Sequence, residues 1–202
     1  MITIVDYGLG NMGSMLNMFQ RIGVDAHIAS EPDELDKAEK LVLPGVGAFD
    51  AAMRRIKDKP GLLEVLVQKG FNERIPVLGV CLGMQLLTTG SEEGTLPGLN
   101  WIPGETKRFP ALNGLKVPHM GWNTAQPNTS SKLTRGVGQD CRYYFVHSYY
   151  VRTKTTSHSS MRTHYGIEFA SAIERDNIFG VQFHPEKSHR FGMAILKNFS
   201  EL

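Results

Sequence analysis

The first half of the chain alternates short apolar runs with amphipathic stretches. Residues 2–6 (ITIVD) form a β-branched run that Tyr7-Gly8 ends. Residues 11–23 follow with Met15, Met18, Phe19 and Ile22 at helical spacing, and Gly23 stops them. Residues 24–29 (VDAHIA) and 40–45 (KLVLPG) read as the second and third strands, the latter cut off by Pro44-Gly45. Residues 48–56 and 62–70 read as helical segments around Pro60-Gly61. Residues 76–80 (PVLGV) give a fourth strand, and 82–90 (LGMQLLTTG) a helix. This alternation predicts an α/β fold, a parallel sheet with helices on both faces.

The pattern then changes. Residues 98–110, 115–123, 141–152 and 167–185 are strand-like runs separated by turn residues. They predict antiparallel strands added to the parallel core or folded beside it. Residues 188–202 return to helical spacing, with Ser188 as N-cap and Phe191, Ile195, Leu196 and Phe199 on one buried face. Residues 126–132 and 152–164 are polar and read as surface loops. The second carries Arg152, Lys154 and Arg162 without an acid and reads as a solvated hairpin tip.

Composition narrows the function classes. A length of 202 residues fits one domain, 1–202, with a single core. A formal net charge of +2, with no long run of like charge, gives no reason to expect nucleic acid. No apolar run approaches the ~20 residues that span a bilayer. The N-terminus reads as a first strand, without the basic and apolar regions of a leader. The expected location is the cytoplasm, a reducing compartment in which Cys81 and Cys141 form no structural disulfide. Walker-type and Rossmann glycine fingerprints are missing from the sequence, as is any clustered Cys/His pattern. No cofactor and no metal are therefore expected.

One of the two cysteines stands between glycines where the fourth strand turns into a helix: Gly79-Val80-Cys81-Leu82-Gly83. That is the pattern of a nucleophile elbow, with Cys in place of Ser. A sharp strand-to-helix turn exposes the side chain at the carboxyl edge of the sheet. The helix beyond it aims free N–H groups at the sulfur and favours thiolate. This matters because a free Cys, with a pKa near about 8.5, is only slightly ionised at neutral pH. A buried cysteine flanked by glycines for close helix–sheet contact would look the same, so the reading needs a base. Among the seven histidines, His158, His164 and His189 lie in polar surroundings and His27 in a presumed strand. His119 and His147 sit in aromatic-rich strands and read as satisfied core residues. His184 differs. An apolar strand runs into His184-Pro185-Glu186, the proline halts the ladder where the histidine is presented, and Glu186 is within reach of the imidazole. A strand-terminating turn with a solvated His and Glu is the alternative.

GVCLGMQLL together with GVQFHPEKS resembles the class I (triad) glutamine amidotransferases, over nearly the whole chain. The ordered motifs DYGLGN, LPGVGAF, VPHMGWN, YFVHSYY and LKNF more specifically resemble the glutaminase subunits of imidazole glycerol phosphate synthases. The resemblance implies a flavodoxin-like amidotransferase fold with a central, mostly parallel sheet. It implies hydrolysis of glutamine by Cys81 as nucleophile, His184 as base and acid, and Glu186 as its orienting carboxylate. It assigns the oxyanion site to Leu82 and to the strand Gly45-Val46-Gly47, whose peptide can rotate between the two glycines. It assigns glutamine binding to Gln85, Glu93, Ser148 and Tyr149. It also implies a (β/α)8-barrel cyclase partner that receives ammonia, with Asn11, Trp122 and Lys187 at the interface. Asn11 reads equally as the N-cap of the first helix, Trp122 as core and Lys187 as a solvated charge. A glutaminase serving another pathway, a cysteine peptidase or γ-glutamyl hydrolase on the same fold, and an inactive partner-binding scaffold remain as alternatives.

Overall fold

The computed structural model describes residues 1–112, 114–127 and 131–202. In chain order it forms β1 (Ile2–Val5), α1 (Met12–Arg21), β2 (Ala26–Ala29), α2 (Pro32–Leu35), β3 (Lys40–Gly45), α3 (Phe49–Asp58), α4 (Leu62–Val67), β4 (Val77–Cys81) and α5 (Leu82–Leu86). Then follow β5 (Gly104–Arg108), β6 (His119–Thr124), β7 (Gln126–Pro127), β8 (Arg142–His147), β9 (Tyr149–Thr153), β10 (Ser159–Tyr165), β11 (Ile167–Arg175), β12 (Ile178–Val181) and α6 (His189–Ser200).

The main sheet runs β2-β1-β3-β4-β12-β11-β10-β7, with β9 beside β11 and β5 on β9. Its first five strands are parallel. From β11 outward the pairing is antiparallel. Strands β6 and β8 form a separate two-stranded ribbon. The parallel strands are buried on both faces, which is why they read as near-continuous apolar runs. Alternation along β3 sends Leu41 and Leu43 to one core, with Phe49, Met53 and Ile56 of α3. Val42 goes to the other core, with Met15 and Phe19 of α1 and Ile195, Leu196 and Phe199 of α6. The class expected from the sequence, a mostly parallel sheet between helices with antiparallel strands in the second half, is the observed one.

Several boundaries differ. The helix expected over 82–90 stops at Leu86. Thr88 Oγ1 donates back to Gln85 O at 2.8 Å, a side-chain bond that competes with helix continuation. The run 98–110 holds strand only at 104–108. Its first part bonds the end of α5 instead, Leu99 N to Leu86 O and Trp101 N to Leu87 O. The run 141–152 breaks into two strands at Ser148. Residues 152–164 are not a solvated tip. They contain the end of β9 and most of β10, with Ser159, Ser160, Met161 and Thr163 buried. The inward positions are mostly small hydroxyl residues, so the alternation is invisible to a search for aliphatic side chains. The missing acid comes from the neighbouring strand, where Glu168 pairs with Arg162 at 2.8 Å. Of 126–132, Gln126 and Pro127 pair with β10, and 128–130 lie outside the described residues. Ser188 stands before α6 but does not cap it. Its hydroxyl donates to His184 O at 2.6 Å and accepts from Tyr144 N at 3.0 Å.

Candidate active site

The carboxyl ends of β3, β4 and β12 meet at one edge, where open α/β sheets bind ligands. Gly45 pairs with Cys81 across β3 and β4, and Val80 with Val181 across β4 and β12. The next rung therefore sets Gln182 beside Cys81. Continuing β1 beyond its pairing of Ile4 with Val42 sets Tyr7 beside Gly45. Tyr7, Gly45, Cys81 and Gln182 thus stand in one row across the sheet edge.

Cys81 holds φ 55° and ψ −108°, a strained positive-φ conformation that costs a non-glycine residue roughly 1–3 kcal/mol. The surrounding glycines make that turn possible. A Cβ on Gly83 would lie 1.8 Å from Leu43 O, and one on Gly79 would lie 2.6 Å from Gly83 O. The helix after Cys81 is pressed onto the sheet too closely for any side chain at either position. Gly45 is also a contact glycine, because a Cβ there would lie 2.6 Å from the Tyr7 hydroxyl and 2.9 Å from Gly83 N. Gly47 is the conformational one, with φ +101° and open space around it. The freedom expected at both glycines thus belongs to Gly47, while Gly45 is wedged.

His184 is 3% exposed. Its Nδ1 lies 2.8 Å from Glu186 Oε1, and the Glu186 side chain is itself 3% exposed. Nε2 is buried without a well-formed hydrogen bond. Burial works to lower the imidazole's pKa. The adjacent Cys81 sulfur and the Glu186 carboxylate outweigh it and push the value up to about 10. Set between sulfur and carboxylate, the imidazole has its protonated form favoured. Tyr7 donates to Pro44 O at 2.6 Å. Burial, then the charge of Cys81, raises its phenol far above the ordinary value.

A cavity of about 350 Å³ opens over this row, lined by Val46, Gly47, Cys81, Leu82, Gln85 and Glu93 on one side. Pro118, Val146, His147, Ser148 and Tyr149 line the opposite wall, with His184 and Lys187. The structure thus brings together the residues predicted as nucleophile and base, as oxyanion donors and as substrate contacts. Of the two adjacent acids, Glu93 lines the cavity and its Oε2 accepts from Phe49 N at 2.9 Å. Glu92 is spent elsewhere, on Arg108 N at 2.8 Å and on Lys107. Gln85 Nε2 donates to Tyr149 O at 3.2 Å. His147 Nδ1 donates to Tyr149 O at 2.7 Å, and its Nε2 accepts from His119 Nδ1 at 2.9 Å. Both are satisfied buried histidines, as expected. Burial lowers His119 to about 4, and burial foremost lowers His147 to about 3.

Three residues expected at an interface lie outside this cluster or on its rim. Asn11 caps α1, its Oδ1 accepting from Ser14 N at 3.3 Å. Trp122 is not core. It is 40% exposed and stacks on His189 with ring centroids 5.5 Å apart. Lys187 lies at the cavity mouth, 5.7 Å from the Tyr144 ring centre. His164 and His189 are exposed and His158 half-buried. Gln182, Tyr7 and Pro118 are additional site residues that the sequence reading left unnamed. The signal for Gln182 was the two-residue alternation of Gln182 and His184 against Val181 and Phe183. Among the described residues no cluster of His, Cys, Asp and Glu is arranged to hold a metal, and no helix is long and apolar enough to cross a membrane.

Comparison with known proteins gives the family and the fold. The family model for class-I glutamine amidotransferases matches residues 3–201. Imidazole glycerol phosphate synthase subunit HisH of Bdellovibrio bacteriovorus is 49% identical, with 100% of both chains covered. Subunit HisH 2 of Methanococcus maripaludis is 50% identical over 98% of both chains. Among solved structures, a glutamine amidotransferase superposes with TM-score 0.75 at 17% identity, covering 98% of this chain and 97% of that one. PurLQS from Thermotoga maritima superposes with TM-score 0.74 at 16% identity, covering 98% of this chain and 96% of that one. These two establish the fold alone. From the family match and the full-length relatives, the chain belongs to the class-I glutamine amidotransferases and, within them, to the HisH family of imidazole glycerol phosphate synthase subunits.

Proposed function

We propose that this chain is the glutaminase subunit of an imidazole glycerol phosphate synthase in histidine biosynthesis. It hydrolyses L-glutamine to glutamate and hands ammonia to a (β/α)8-barrel cyclase partner. The observation that carries the reading is the buried His184, tied by Glu186 on one nitrogen and raised by Cys81, at the floor of a cavity ringed by Gln85, Glu93, Ser148 and Tyr149.

The chemistry follows from that arrangement. Cys81 Sγ, as thiolate, attacks the side-chain carbonyl of glutamine and forms a C–S bond, while the carbonyl π electrons move to oxygen. The tetrahedral oxyanion takes hydrogen bonds from the N–H of Leu82 and from an N–H of the 45–47 strand. Collapse expels the amide nitrogen, which takes the proton from His184 Nε2 and leaves as ammonia. Water then gives a proton to His184 and attacks the thioester. A second collapse breaks the C–S bond and releases glutamate. The raised imidazole sharpens the expectation from sequence. It favours the protonated form of His184, the acid that the departing nitrogen requires. Glu93 faces the α-ammonium of glutamine, and Gln85 and the Ser148–Tyr149 backbone face its remaining polar groups.

The strand 45–47 is the element a partner can act on. Gly45 is wedged by Tyr7 and Gly83, while Val46, 42% exposed, and Gly47 beyond it lie free at the rim. Loss of one oxyanion donor typically costs about 100- to 1000-fold, enough for the cyclase and its ligand to switch the glutaminase. Glutamate release is measured for the isolated chain, then with the barrel partner and its nucleotide ligand added. A rise of about 100-fold or more supports both partner and switch. Full activity of the isolated chain removes the switch and points to another glutamine-dependent pathway. Inactivity under every condition points to the scaffold reading.

A further inference from the structure

The triad leaves one polar side chain in the site without a task. Gln182 is fully buried, and its Nε2 lies 3.8 Å from Cys81 Sγ, in hydrogen-bonding alignment. Its Oε1 accepts from Gln85 Nε2 at 3.1 Å, and that same nitrogen donates to Tyr149 O at 3.2 Å. The direction of this chain is determined. A backbone carbonyl only accepts, so Tyr149 O draws the NH2 side of Gln85 toward itself. Gln85 Nε2 in turn draws the oxygen of Gln182. The remaining group of Gln182, its NH2, must then face the sulfur. Gly45 stands on the opposite side of Cys81 in the same row, and the nearby Tyr7 hydroxyl spends its proton on Pro44 O.

We propose that Gln182 is a fourth catalytic residue, an amide donor that holds the Cys81 sulfur as thiolate, aimed by the Tyr149 carbonyl through Gln85. The proposal rests on the reading of Cys81 as the nucleophile. A hydrogen bond to an ionised acceptor is roughly twice as strong as one between neutral groups, and a buried site strengthens it further. The register that pairs Val80 with Val181 fixes the neighbouring positions, so the donor belongs to the sheet and does not depend on the 45–47 strand or on a partner. His184 supplies the proton that leaves with ammonia. Gln182 has no proton to give at these pH values and acts only on the charge of the sulfur.

The test is the pH dependence of Cys81 alkylation by iodoacetamide, followed by mass spectrometry on the intact chain, with glutamate release measured in parallel. Gln182→Glu is the sharper variant. It keeps the shape and the acceptor for Gln85 and replaces only the group facing the sulfur. Gln182→Met removes the donor without adding charge. Both should move the pH of half-maximal alkylation upward by about one to two units relative to the unmodified chain, Glu further than Met. The rates should converge with those of the parent at high pH, which a packing defect would not produce. The drop in turnover at neutral pH should follow the alkylation and leave KM for glutamine less affected. Unchanged midpoints in the folded variants overturn the proposal, and Gln182→Glu alone decides should the methionine variant not fold. Failure of the underlying reading looks different: Cys81→Ser would retain glutaminase activity, or Cys141 would be alkylated in preference to Cys81 in the parent chain.

Discussion

At the scale of single residues, the site is governed by where one proton sits. Under the proposed mechanism protonated His184 donates to the departing nitrogen, so glutaminase activity should decline as pH rises through about 10. A steady-state profile of glutamate release between pH 6 and about 10.5 checks this. Cys81→Ser and His184→Asn should each lower turnover by about 1000-fold or more, and the double variant should cost little beyond either single one. Cys81 and His184 were legible in the sequence because each ends an apolar run in a local motif. Gln182 was not, because it sits inside such a run, and only the two-residue alternation with His184 marks it as facing the same way. The preference for Glu93 over Glu92 could not be argued from adjacency. It depends on a hydrogen bond to Phe49 N across the chain.

At the scale of elements, the aliphatic strands β1, β3, β4 and β12 were legible because burial on both faces leaves a continuous apolar signature. β10 was not, since its inward positions are mostly Ser and Thr and its only fully buried large apolar residue is Met161. The glycines of the turns separate by mechanism. Gly83→Ala should unseat α5 from β3, lowering the melting temperature sharply and abolishing turnover, because its Cβ would collide with backbone. Gly47→Ala meets no atom and pays only for its positive φ, about 1–2 kcal/mol. Its effect should fall on turnover more than on melting. The β6–β8 ribbon carries a titrating element of its own. His119 and His147 have folded pKa values of about 4 and about 3, below the unfolded value near 6.5. The unfolded chain therefore takes up protons first as pH falls. Their contribution is complete above about pH 6.5 and is lost progressively toward pH 4 and 3. Scanning calorimetry from pH 4 to 8 should show a flatter stability profile for His147→Asn than for the parent, by on the order of a few kcal/mol at the acid end.

At the scale of the molecule, the cavity lies between two separate β structures. One wall is the edge of the main sheet; the other includes Pro118, Val146 and His147 of the ribbon and the segment leading into it. The ribbon also carries Trp122 at its surface. Under the proposed function, Trp122→Ala should weaken association with the barrel partner by about tenfold or more, measured by titration calorimetry. The rate of Cys81 alkylation in the free chain should stay unchanged. The general plan of the sheet was readable because hydrophobic periodicity reports burial. The ribbon's separation from the sheet was not, because an antiparallel pair gives the same pattern whichever sheet it joins.

Val46, Val117, Met120 and Trp122 are four of the eight large apolar side chains that stand exposed among the described residues, and all lie along the rim, on the ribbon or on the segment leading into it. For a cell this makes surplus copies a burden. If the rim is where the proposed partner docks, any molecule produced without that partner keeps the greasy rim wet, open to self-association and to the quality-control machinery that recognises such surfaces. Under the proposed function, synthesis of this chain matched to that of its barrel partner would keep the rim covered.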